Sequence, residues 1–303
     1  MGADVSPAGQ KKVASMGAVL NDPHRPLASR FRALFALRNL GGDEAVAQIA
    51  KCFSDPSALL KHELAYCLGQ MRDIRAVPTL VNVLSDQQQP PIVRHEAGEA
   101  LGAIADPRAV VVLKKFADDA NREVADTCRL ALQRLSWLES VDSQTENLTV
   151  NPYNSVDPAP PSAAGQSVSA LSASLLDPLE SLWTRYRAMF ALRNDGSDEA
   201  VDALCAALHC PSSALFRHEL AYVLGQLQSP RSLTALAERL ADTEELGMVR
   251  HECAEALGAV GGPDCERLLR RFLADAEPLV RESCEVALDI AHSHDHFQYA
   301  EVS

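Results

Sequence analysis

The chain has 303 residues, 47% apolar, 23% charged and 5% aromatic, with a formal charge of −13. That acidic balance excludes a nucleic-acid binder, whose phosphate partner demands a basic surface, and leaves a solvated face or a cationic partner. Few aromatics beside abundant Ala and Leu favour helix over sheet, and no run of 18 apolar residues offers a membrane span.

Residues 1–10 read as a disordered leader, in which Met1 to Ser6 matches the loose, chance-prone myristoylation pattern. No apolar signal segment occupies the first twenty residues. From there to about residue 138, apolar positions recur at i, i+3, i+4 and i+7, with breaks at Gly41-Gly42, Asp55-Pro56, Asp86 and Asp106-Pro107. The spacing predicts helix pairs over 10–20 and 27–39, 43–53 and 58–70, 75–85 and 91–104, and 108–118 and 122–138. Ser57 is the expected N-cap of the fourth helix. A unit of 31–33 residues cannot bury its own apolar face, so each pair must stack on its neighbours.

Residues 139–170 break this rhythm. Asn151 to Pro161 carries four prolines and a Ser/Ala/Gly run follows, which reads as a partly extended linker. The pattern then restarts, because Arg185 to Asn194 repeats Arg30 to Asn39 at 8 of 10 positions. Four more pairs carry it to about residue 291. The expected fold is all-α: a solenoid of eight helix pairs in two pseudo-symmetric halves of four, 1–138 and 171–303, joined by the linker.

One stretch recurs almost intact. Residues 57–71 and 213–227 are identical at 11 of 15 positions, and both contain a His-Glu dipeptide. A second His-Glu follows each copy by 33 residues, within Val93-Arg94-His95-Glu96 and Val249-Arg250-His251-Glu252. The chain thus holds four pairs: His62-Glu63, His95-Glu96, His218-Glu219 and His251-Glu252. The outer repeats of each half lack them, with Phe31-Arg32, Ala125-Asp126, Tyr186-Arg187 and Arg281-Glu282 in those places. A purely structural need would have applied to every repeat.

Each pair lies early in the second helix of its repeat, and neighbouring second helices run about 8–10 Å apart. Two imidazoles and up to two carboxylates per half can therefore converge, and carboxylates crowded without a cation would repel strongly. Two His and one carboxylate form the ligand set of non-haem Fe(II) chemistry, and its duplication predicts a two-iron centre. Zinc is disfavoured because no Cys takes part, while Mn or Mg stays open, four imidazoles counting against Mg. Glu99 and Glu255, four residues after the second His of each half, are candidate outer partners of an imidazole or surface charges. Tyr66 and Tyr222 read as packing residues, and His292, His294 and His296 as a frayed end. Eight cysteines with no C-x-x-C pair read as reduced thiols of a cytoplasmic protein.

On Leu-Lys-His-Glu-Leu-Ala-Tyr, the two Val-Arg-His-Glu blocks, their spacings, the Ser155 to Pro161 run and the Arg281 to Leu288 run, the sequence resembles the deoxyhypusine hydroxylase family, di-iron monooxygenases built from HEAT-type repeats. The resemblance covers nearly the whole chain. It implies hydroxylation of the deoxyhypusine side chain of eukaryotic translation initiation factor 5A, with two Fe2+ ions, O2 as co-substrate and an external reductant. It further implies that His62, His95 and Glu96 hold one iron and His218, His251 and Glu252 the other. Glu63 and Glu219 would ligate iron or hold the substrate amine. Two other readings compete: a metal-free protein-binding scaffold and a relative of the phycobilin lyases. Neither needs duplicated His-Glu pairs.

Overall fold

The computed structural model describes residues 7–211 and 213–292. Among these, regular structure is helical apart from an isolated antiparallel bridge between Leu148 and Ala163. The chain divides into two compact units, the first ending at Leu135 and the second starting at Ser136.

In the first unit the helices follow in pairs: α1 (Pro7–Leu20) with α2 (Leu27–Leu40), and α3 (Gly42–Ala50) with α4 (Ala58–Met71). Then come α5 (Val77–Ser85) with α6 (Pro91–Ile104), and α7 (Val110–Phe116) with α8 (Arg122–Glu139). A single turn, α9 (Asp142–Thr145), precedes the pairs of the second unit. These are α10 (Val168–Leu176) with α11 (Leu182–Asp195), α12 (Asp198–Ala207) with α13 (Ala214–Leu227), α14 (Leu233–Ala241) with α15 (Gly247–Val260), and α16 (Gly262–Phe272) with α17 (Pro278–His292).

The expected boundaries hold to within a few residues, and the differences have local causes. Helices α5 and α7 begin later than the apolar pattern suggests because short 3-10 turns, Ile74–Ala76 and Pro107–Ala109, lead into them. In each turn the preceding aspartate, Asp73 or Asp106, accepts the N–H two residues on. At the start of the chain, residues 7–10 are already helical, so the expected ten-residue leader is too long. Gln10, Lys11 and Lys12 are good helix formers, and the polar run hides that propensity. Residues 1–6 with their myristoylation pattern, and His294 and His296, lie outside the described residues. Ser57 caps α4 as expected, its side chain accepting from Leu60 N at 3.0 Å, and Ser213 caps α13 in the same way.

The first helix of a pair is amphipathic; α5 buries Val77, Leu80, Val83 and Leu84 on one face. The inner second helices are buried nearly all round, with 12 of 14 residues buried in both α6 and α15. Each is covered by its own first helix and by second helices on its flanks, which demands small residues at the crossings. A Cβ on Gly69 would lie 2.8 Å from Ala100 Cα, and one on Gly258 would lie 2.7 Å from Ala287 Cβ and 2.9 Å from Ala287 Cα. Gly258→Val should therefore push α15 from α17 and cost about 2–3 kcal/mol, read as a lower urea midpoint at unchanged slope.

The proline-rich stretch is stitched to the second unit. Arg193 of α11 is fully buried and grips Asp157 with both terminal nitrogens, at 2.8 and 2.7 Å. Arg187 binds Glu146 at 2.6 Å, and Pro158 to Pro161 are buried.

A candidate metal centre in each unit

The residue before each His anchors the helix turn that carries it. Arg94 Nε donates to the Leu84 carbonyl at 3.0 Å, one of the acceptors left over at the end of α5, and Arg94 pairs with Asp119 at 2.6 Å. Arg250 repeats this with Leu240 at 2.9 Å and Asp275 at 2.5 Å. Arg217 forms a two-pronged pair with Glu245 at 2.6 and 2.8 Å, and Lys61 Nζ donates to Gln89 at 2.8 Å. A cation pinned on one side of the turn fixes the direction of the following His and Glu. Sequence reasoning missed this role, although a Lys or Arg stands immediately before all four His.

All eight His and Glu side chains of the four pairs are buried. In the first unit, His62 Nε2 lies 3.2 Å from Glu96 Oε2, and the His62 and His95 ring centres are 5.5 Å apart. His62, His95 and Glu96 each offer a ligand atom, and these atoms lie within 4.8 Å of one another. The second unit repeats the geometry, with His218 Nε2 3.4 Å from Glu252 Oε2 and ring centres of His218 and His251 5.3 Å apart. His251 Nε2 stands 3.9 Å from Glu252 Oε2. The neighbouring repeat, not the adjacent residue, thus supplies the carboxylate nearest Nε2 of the first His. Glu219 is buried beside His218 in the sequence.

Glu63 Oε1 lies 3.4 Å from His62 Nδ1. In the second unit Glu255, 1% exposed, places Oε1 3.5 Å from His251 Nδ1, and Ser283 Oγ lies 3.4 Å from that nitrogen and 3.3 Å from Glu255 Oε1. Glu255 is thus a buried outer partner of His251; Glu99 is half-buried, and Thr127 stands at the position matching Ser283. Burial disfavours charging His62, but the Glu96 charge and hydrogen bonds that the ring donates to Glu63 and Glu96 outweigh it and hold its pKa well above the ordinary value.

Buried imidazoles and carboxylates at this separation fit a divalent cation that takes nitrogen and hard oxygen together, and suit iron better than structural zinc. An ion bound at the ligating nitrogen would displace any proton held there. The thiols do not compete as ligands. The eight cysteines form no disulfide, and burial pushes Cys128 and Cys284 up to about 12. Among the described residues no helix is long and apolar enough to cross a membrane.

Stacked helix pairs, with buried His and Glu groups in each unit that could hold a metal ion, define a helical-repeat protein. HEAT repeats are matched over residues 46–133 and 169–247, and the HEAT-like repeat of PBS lyases over 29–55 and 249–275. Deoxyhypusine hydroxylase of Mus musculus is 55% identical over 294 residues, covering 96% of both chains. That of Danio rerio is 56% identical over 297 residues, covering 97% of both. The solved structure of human deoxyhypusine hydroxylase in complex with glycerol aligns at a TM-score of 0.90 with 55% identity, over 94% of this chain and 98% of the other. The chain belongs to the deoxyhypusine hydroxylase family.

Proposed function

We propose that the chain is a di-iron, O2-dependent monooxygenase that hydroxylates the deoxyhypusine side chain of eukaryotic translation initiation factor 5A in the cytoplasm. The observation that carries this reading is the repeated approach of one imidazole Nε2 to the glutamate of the next repeat, at 3.2 Å and 3.4 Å, with a second imidazole alongside. His62, His95 and Glu96 would hold one iron, and His218, His251 and Glu252 the other. The chemistry that iron supplies when bound is reductive use of O2: one oxygen atom enters a C–H bond, the other leaves as water, and an external reductant provides two electrons and two protons.

The protein's own part is to orient and to exclude. Ligand side chains no more than 5% exposed keep bulk water from the reacting carbon. Asp119 and Asp275 hold the anchoring arginines, so the imidazoles need not reorganise when an ion binds. A deoxyhypusine side chain carries two amines, cationic at neutral pH, and suits an acidic protein with extra carboxylates near its ligand set. Glu63 and Glu219 are the carboxylates for a substrate ammonium. A metal on the Nε2 side of His62 leaves Glu63 on the other flank, where it also steadies the ring.

The test is metal analysis with turnover on deoxyhypusine-bearing substrate protein. Two irons per chain and loss of hydroxylation on chelation are expected; full activity in rigorously metal-free protein would remove the proposal. Glu63→Gln should keep its iron while hydroxylation falls by about 10–100-fold. Loss of iron in that variant would make Glu63 a ligand instead.

A further inference from the structure

In the second unit a glycine lets the last helix close onto the one that carries His251. With no side chain at Gly258, α17 lies directly against α15, where a Cβ would meet that of Ala287 at 2.7 Å. Ser283 stands one turn before Ala287 and Glu255 three residues before Gly258, and both arrive on the Nδ1 side of His251. Ser283 Oγ lies 3.4 Å from His251 Nδ1 and 3.3 Å from Glu255 Oε1, and that oxygen lies 3.5 Å from the same nitrogen. All three side chains are buried.

Counting hydrogens orders this triangle. A carboxylate only accepts, and a serine hydroxyl has one hydrogen to give. Ser283 gives it to Glu255, which leaves the serine oxygen an acceptor toward His251. Nδ1 thus faces two acceptors and must carry the ring N–H. The lone pair of the neutral ring then falls on Nε2, where Glu252 Oε2 stands 3.9 Å away.

Close helix packing alone does not make such a triangle. In the first unit a Cβ on Gly102 would lie 2.8 Å from that of Ala131, and Thr127 stands one turn before Ala131. Thr127 Oγ1 is nonetheless buried without a hydrogen bond among the described residues, and Glu99 is half-buried. Full burial of Glu255 carries a desolvation cost that its counterpart is spared, and the serine and imidazole hydrogens offset it.

We propose that Glu255 and Ser283 are positioning residues that hold His251 as its Nδ1–H tautomer, with Nε2 presented to the ligand set, and so strengthen metal binding in the second unit. A ring held in this way needs neither to flip nor to exchange its N–H before Nε2 can bind an ion, and the carboxylate behind it makes Nε2 the better donor. The effect on metal affinity rests on the di-iron reading; the effect on the tautomer rests on the triangle alone.

The test uses the full chain with isotope-labelled histidine. Long-range proton–nitrogen spectra of the metal-free protein, taken at the alkaline end of the ring's titration, report the tautomer, and the His251→Ala variant identifies the signal. The Nδ1–H pattern is expected in the unaltered chain, and Glu255→Ala combined with Ser283→Ala should shift it toward the Nε2–H form. Fe2+ affinity is then read by chelator competition in a His62→Ala background, where the second unit reports. Glu255→Ala should weaken binding there by about 10–100-fold, and Glu255→Gln, whose amide oxygen still accepts the N–H, by less. In a His251→Ala background Glu255→Ala should leave the affinity of the first unit unchanged, which a general loosening of the fold would not. A tautomer pattern unmoved in the double variant overturns the proposal, as does unchanged second-unit affinity in Glu255→Ala or an equal loss in both units. Failure of the unaltered chain to bind Fe2+ overturns the di-iron reading and the affinity effect with it, while the tautomer still decides the positioning role.

Discussion

His251→Ala should bind about one iron per chain instead of two, with hydroxylation reduced by well over the ~100-fold that loss of a mere outer partner costs. His251 is fully buried, Glu252 Oε2 lies 3.9 Å from its Nε2, and Glu255 with Ser283 occupies its Nδ1 side. Removing the ring takes one of two nitrogens from that ligand set, and a histidine and a carboxylate alone hold a divalent ion poorly. The helix should survive, since α15 buries 12 of its 14 residues and loses one side chain. Iron analysis beside circular dichroism separates a lost ligand from a lost fold. Full iron retention in a folded variant would count decisively against the assignment. His62→Ala should do the same to the first unit.

Asp157→Ala should destabilise the second unit by about 3–5 kcal/mol, because it strands a buried guanidinium. Arg193 is 0% exposed and Asp157 takes its fork at 2.8 and 2.7 Å; Ser155, Gln226 and Asn194 supply neutral oxygens that solvate the charge without neutralising it. The expected readout is a drop in thermal midpoint and faster proteolysis around residues 149–161. A variant whose midpoint is unmoved would show that the neutral acceptors suffice. Asp157→Asn keeps the shape and one acceptor, so it should fall between the two.

The four His-Glu pairs were legible because a dipeptide repeated at 33 and 156 residues outlasts the drift around it. Their orientation was not. Nothing in the spacing says that Glu96 approaches Nε2 of His62 while Glu63 flanks Nδ1, because that depends on where Lys61 and Arg94 pin their helices. Glu99 and Glu255 look equivalent in the chain, yet Glu255 alone is fully buried and touches both His251 and Ser283. The proline-rich run reads as a spacer by composition, and its docking on Arg193 is invisible to any periodic pattern.

Helix pairing, the restriction of His-Glu to inner repeats and the family itself came from residue order alone, since apolar period and repeat spacing are local, one-dimensional signals. Folding decided which ring nitrogen meets which carboxylate, which glutamate stands behind an imidazole, and which arginine is sealed. Those outcomes depend on contacts between segments about 30 to 70 residues apart, as in Arg193 with Asp157 and Gln226 with Ser155. Such contacts arise only when packed helices set a distance and a direction for each side chain.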